Sequence, residues 1–226
     1  MNLKEAYDFL NFFINKYTGG FYPPDELDLI VDRGQMALYT DYQPKYATSQ
    51  RIKDALAPFR QKWEFSSANT ISGVIPVPSN LNYLNLLAIN INYDISSRTV
   101  YAPVTMVNED EIGHRLNSQI DPVTITSPIG EQLAPGFFRL YPTSGYTGTI
   151  TFLRRPVKPV FVYTTISQRV IVYDDAASTQ LEWRETEMDS VLLKSLSTLG
   201  INLTDNEIAQ YAEVKNQQNY GGVNKS

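Results

Sequence analysis

FFRLYPTSGYTGTITFLRRPVKPVFVY, residues 137–163, reads as two strands joined by a turn and closed by a proline-punctuated exit. Side chains alternate across a strand, so Phe138 and Leu140 share one face of the first strand, and Ile150 and Phe152 share one face of the second. Between them, Pro142–Gly148 is rich in residues that supply a fixed or positive φ. Arg154, Arg155, Pro156, Lys158 and Pro159 end the run, because proline cannot donate to a sheet ladder. The pattern predicts a hairpin at the centre of a β core.

The same period of two extends on both sides. ISGVIPV (71–77), YLNLLAININYD (83–94) and RTVYAPVTMV (98–107) predict strands, the second of them central. Asp94–Arg98 predicts the turn between the last two. Asn108 and Glu111 predict a capping box on a short helix that turns Ile112 and Leu116 inward. Pro122–Thr126 predicts a short strand and Pro128–Pro135 a loop. Val160–Tyr163, Arg169–Tyr173 and Gln180–Trp183 predict the last strands.

Helical grammar brackets this β region. Leu3, Ala6, Tyr7, Leu10, Phe13, Ile14 and Tyr17 keep the helical spacing. Asn2 and Glu5 form a capping box, and Gly19–Gly20 ends the helix. Phe9 and Phe12 widen its apolar face beyond one stripe, so cover on two sides is expected. A second helix runs from about Asp25 to Tyr42, with acids in its first turn. Gly34 lies in its buried stripe (Leu27, Ile30, Val31, Leu38), which predicts close approach of another helix. Ser49–Phe59 predicts a short third helix, with Trp63 and Phe65 as aromatic anchors after it.

Near the C-terminus, Met188, Val191, Leu192, Leu196 and Leu199 form a stripe. Gly200 and Ile201 complete a Schellman motif. Thr204 and Glu207 then open a further helix, with Leu203 and Ile208 as a hydrophobic staple. The expected fold is therefore α+β. Helical parts at 1–65 and 184–218 pack together, a central antiparallel β-sandwich-like domain spans 66–183, and residues 219–226 form a flexible tail.

The composition narrows the function. With no cysteine, disulfides, thiol catalysis and cysteine-held metals are excluded. A net charge of −5 with scattered basic residues argues against a protein that grips nucleic acid. No signal peptide and no membrane-spanning apolar run is expected. His114 is the single histidine, too few for zinc, and no nucleophile elbow accompanies it. Glu109–Glu111 and Asp174–Asp175 lack calcium-loop spacing, and no phosphate-binding glycine motif is present. No catalytic, cofactor or metal residue is assigned. Fifteen tyrosines, with their apolar bodies and polar tips, suit interfaces. The profile favours an assembly component over an enzyme.

The order of elements carries a resemblance. FFINKYTGGFYPPDELDLIVDRGQMALY (12–39) is a helix end of the form N-K-x-x-G-G followed by a proline-acid helix start. IGHRLNSQIDPVTITSP (112–128), FRLYPTSGYTGTITFLRRPVKPVF (138–161) and LEWRETEMDSVLLKSLSTLGINL (181–203) follow in order. Together they resemble a neck or tail ring protein of crAss-like, short-tailed bacteriophages.

The resemblance implies a homo-oligomeric ring, twelve-fold, stacked below the portal protein and against neighbouring tail ring or tube proteins. Genomic DNA would pass through it without sequence-specific binding, the protein residing in the virion after assembly in the host cytoplasm. An acidic lumen would let the DNA backbone slide. The alternative is a β-sandwich module of a tail or fibre that binds glycans or a receptor. Phe9 and Phe12, the turn at Ser144, Gly145 and Tyr146, and the basic exit at Arg154, Arg155 and Lys158 are the expected assembly contacts. Deleting the Ser144–Thr147 tip is expected to spare folding and impair assembly.

Overall fold

The structure, a computed structural model, describes residues 2–20, 22–66, 72–95, 98–167, 170–201 and 203. The chain opens with α1 (Leu3–Thr18), α2 (Pro24–Tyr42) and α3 (Gln50–Ala55). It continues through β1 (Arg60–Ser66), β2 (Val74–Pro76), β3 (Tyr83–Ile95), β4 (Arg98–Pro103), β5 (Thr105–Met106) and α4 (Glu109–Leu116). Then come β6 (Ile129–Ala134), β7 (Phe137–Tyr141), β8 (Thr147–Arg154), β9 (Tyr163–Ser167), β10 (Val170–Tyr173) and α5 (Glu185–Thr198). The fold is α+β. Two compact units share it: Leu56–Arg155 form one, and the described residues before and after that stretch form the other. The breaks leave Leu56–Phe65 with the β unit and Pro156–Trp183 with the helical unit, unlike the expected divisions at 65/66 and 183/184.

In the helical unit, α1 begins as its sequence dictates. Asn2 Oδ1 accepts from Glu5 N at 2.9 Å, and the Glu5 carboxylate accepts from Asn2 N at 3.1 Å. Asn2→Ala is expected to cost about 1 kcal/mol of this unit's stability, read as a lowered urea midpoint. Gly19 and Gly200 close α1 and α5 with φ of 65° and 77°, a conformation that burdens residues carrying a Cβ. Both Schellman bonds at the end of α5 are present: Ile201 N donates to Leu196 O and Gly200 N to Ser197 O, each at 3.0 Å.

Leu27, Val31 and Leu38 of α2, and Val191, Leu192 and Leu196 of α5, are buried. Gly34 of α2 lies against Ser195 of α5. A Cβ there would lie 2.8 Å from the backbone N and 2.9 Å from the Cα of Ser195. The expected helix after Thr204 lies outside the described residues, as does the tail.

The β unit has two four-stranded sheets, ordered β1-β8-β3-β4 and β2-β7-β6-β5. All neighbours are antiparallel except β5 and β6. Phe138, Leu140, Ile150 and Phe152 are buried in one apolar cluster with Phe65, Ile75, Ile89 and Ile91. β3 pairs with both β8 and β4, so it is internal as expected. Its mixed pattern has a physical source. Register irregularities at Tyr83–Asn85 and Leu86–Ala88 shift the phase of alternation.

Several expectations are corrected. The stretch 137–163 is not a hairpin, because β7 and β8 belong to different sheets and do not pair. Pro142–Tyr146 arches from one sheet to the other, and each strand turns its apolar face into the shared core. Residues 129–134, expected in a loop, form β6, in which Ile129, Gly130 and Glu131 are buried. Glu131 is held there by Arg139 Nη1 at 3.3 Å and the Tyr141 hydroxyl at 3.2 Å.

Pro122–Thr126 is no strand. Its one bridge is Thr124 to Ser127, a local loop closure. Residues 180–183 are likewise outside any strand. Asn108 stands at the N-cap of α4 without a side-chain capping bond; Ile112 is half-buried, while Leu116 is exposed and does not turn inward.

Candidate assembly surfaces

The expected contact residues divide once burial is known. Phe9 is 5% exposed and its ring packs on Phe13 at 5.0 Å between centroids, so it is a core residue of the helical unit. Phe12, four residues short of Lys16 and on the neighbouring face, is 37% exposed and meets Phe13 edge-on at 5.1 Å. Ser144 and Gly145 stand exposed on the arch. Tyr146 does not: it is 4% exposed, meets Phe65 edge-on at 6.3 Å, and burial pushes its hydroxyl up to about 12. Removing Ser144–Thr147 would take Tyr146 from the core, so the deletion tests the fold as well as the surface.

The basic exit also divides, because the two compact units meet in sequence at Arg155–Pro156. The Arg154 guanidinium donates to Arg155 O at 3.2 Å and lies 5.8 Å from the Phe59 ring, tying it to the β unit. Arg155 is exposed, and its N–H donates to Asn82 O at 2.9 Å. Lys158 is exposed in the helical unit, and its charge acts on Asp28.

Asp28 is the centre of that unit's polar chemistry. It accepts from the Tyr7 hydroxyl, and its two carboxylate oxygens accept from Phe161 N at 3.0 and 3.3 Å. Tyr7 stacks on Phe161 at 4.7 Å between ring centroids, and the Tyr173 ring lies tilted against Phe161 at 4.6 Å. Burial raises the Asp28 pKa above the usual carboxylate range, against the opposing effects of these hydrogen bonds. Burial, and then Asp28 itself, hold the Tyr7 hydroxyl far above the ordinary tyrosine range. A carboxylate with its oxygens engaged by the fold pins the segment around Phe161 to α1 and α2. Gln35 adds to this by donating to Val157 O at 3.0 Å, and Gln180 Oε1 accepts from Leu3 N at 2.9 Å.

The other buried acids serve in the same way. Glu187 accepts from the Tyr42 hydroxyl and lies 3.8 Å from Arg51, at the edge of a depression of about 560 Å³ lined by charges of both signs. Asp174, from the second acidic pair, accepts from Ala177 N at 3.1 Å within a turn. His114 is exposed on α4. Among the described residues, no three His, Asp or Glu side chains gather as a metal site, and no helix is long and apolar enough to cross a membrane.

No protein-family model and no curated protein matches this chain. The surfaces must therefore be read from their own chemistry.

The feature that sequence reasoning missed lies between β5 and β6. This excursion carries α4 and a loop, and it ends in side chains that cover nothing. Ile120 is 98% exposed and Leu116 42%. Met106 at its base and Tyr101 on β4 are exposed too. The only sequence signal was an isoleucine set among polar loop residues, Asn117–Ser118–Gln119–Ile120–Asp121–Pro122.

Proposed function

We propose that this chain is a structural subunit of a phage neck or tail ring, joining portal to tail and enclosing the DNA channel. The observation that carries this reading is α4 and its loop. None of the eight residues of α4 is fully buried, and the apolar side chains of Leu116 and Ile120 stand exposed at its end. Its apolar side chains call for a surface supplied by another molecule. The commitment of Asp28, Glu131 and Glu187 to internal hydrogen bonds supports a scaffold over a catalyst. The resemblance of the ordered segments to ring proteins of short-tailed phages supplies the kind of assembly.

The test is sedimentation and negative-stain microscopy of the concentrated protein. Self-association into closed rings is the expected result. A chain that stays monomeric at the highest concentration reached, and is instead retained on a glycan array, would sink the reading in favour of a binding module.

A further inference from the structure

The β unit carries both halves of a joint. The projecting half is the arm between β5 and β6. Its shape is fixed by its own bonds: Arg115 Nη1 to Asp121 Oδ2 at 2.7 Å, Asn117 Nδ2 to Gly113 O at 2.9 Å, and Asp121 N to Ser118 Oγ at 3.2 Å. A knob held in one conformation before binding loses little entropy on docking.

The receiving half is a depression of about 670 Å³ lined by Pro76, Val77, Pro78, Tyr83 and Phe137, with Ser79 and Asn82 as its polar members. Its walls are fixed by β2–β7 pairing, which sets Pro76 opposite Phe137, and by Val77 N donating to Gly136 O at 2.8 Å. Prolines contribute no N–H that must find a partner, so the lining is rigid and chiefly apolar.

Charge matches across the two halves. The arm begins with Glu109, Asp110 and Glu111, all exposed. Arg155, exposed, stands beside the depression, because its N–H donates to the O of Asn82 in the lining. Position matters as much. β5 and β2 are opposite edges of one sheet, with β6 and β7 between them. Three strand spacings separate the edges by about 14 Å, within one packed body.

We propose that the Ile120 arm of one copy seats in the Pro76–Phe137 depression of the next, making a head-to-tail contact. The inference rests on the ring reading for its choice of occupant, a second copy of this chain. An apolar knob with acids at its start and an apolar depression beside an arginine, set toward opposite edges of one sheet, are what a heterologous, ring-forming contact requires.

The chain has no cysteine, so engineered thiols report without background. Ile120→Cys and Ser79→Cys place one thiol on the knob and one at the socket; both positions are exposed, so folding is spared. Mild oxidation of the mixed single variants is expected to give a one-to-one heterodimer, and of the double variant a ladder of oligomers. Ile120→Asp is expected to weaken self-association at least about tenfold.

Each outcome points one way. Rings that form while the mixed thiols fail to couple overturn the joint and leave the ring reading standing. Ile120→Cys alone coupling as readily as the mixture points to a tip-to-tip dimer and also overturns it. A ladder without closed rings keeps the joint and sinks the ring. A monomer at every concentration overturns both.

Discussion

Gly34→Ala is expected to destabilise the helical unit by about 2 kcal/mol, although alanine is the better helix former. Propensity favours the substitution by about 1 kcal/mol. Packing opposes it more strongly, since forcing extra carbon into a filled interface costs about 1–3 kcal/mol and sometimes more. The upper end applies because the new Cβ would meet Ser195 backbone, its N at 2.8 Å and its Cα at 2.9 Å, and α5 can give way only by moving as a whole. Ser195 Oγ also crowds the site while it donates to Val191 O at 2.8 Å.

One tryptophan falls in each unit, Trp63 in the β unit and Trp183 in the helical unit. In a Trp63→Phe background, Trp183 fluorescence should therefore show a lower urea midpoint with unchanged slope. Adding Ser195→Ala should restore part of the loss. Full restoration would mean that the hydroxyl, not the backbone, sets the approach; no loss at all would mean that α2 and α5 are not this close.

Gly34 illustrates what was legible in the sequence. The helices were, because their signals are local: the Asn2–Glu5 box, the Leu196–Ile201 Schellman bonds and the stripes of α2 and α5 each lie within a few residues. A glycine inside a buried stripe has one economical explanation, and the packing of α5 on α2 agrees with it.

Strand partnership was not legible. Phe138, Leu140, Ile150 and Phe152 alternate identically whether their strands pair side by side or face one another across a sandwich. The turn was the better clue. Five residues, Pro142–Tyr146, with a buried tyrosine among them, suit an arch between layers better than a tight two-residue hairpin. β6 escaped notice because its core-facing positions are Gly130 and Gln132, opposite Leu140 and Phe138, where apolar residues were sought. For the candidate surfaces, the pattern of α4 placed Ile112 and Leu116 inward, and Leu116 is exposed instead. Periodicity says that a face is apolar, and says nothing of which molecule covers it.

Asp28→Ala is expected to have the largest effect, about 3 kcal/mol. The substitution removes the acceptor of the Phe161 N–H and of the Tyr7 hydroxyl. Each buried donor left without a partner costs about 1–3 kcal/mol, and relief of the carboxylate's own burial offsets part of the total. The loss should be local: the Phe161 amide should lose hydrogen-exchange protection and the Trp183 transition should move, while the Trp63 transition stays in place.

The sign of the pH dependence follows from burial. A carboxylate whose folded pKa is raised above its unfolded value contributes stability that is fully present below the unfolded pKa and is lost as pH rises through the folded pKa. Asp28→Asn keeps one acceptor oxygen and cannot titrate. The wild-type advantage over Asp28→Asn should therefore be greatest in acid and shrink as the pH rises toward neutral. An advantage that grows over that range would mean that the charged carboxylate, bound by Phe161 N and Tyr7, outweighs its burial. An Asp28→Ala chain with Phe161 still protected would mean that packing of Phe161 between Tyr7 and Tyr173 suffices to hold the segment, and that the carboxylate does not pin it.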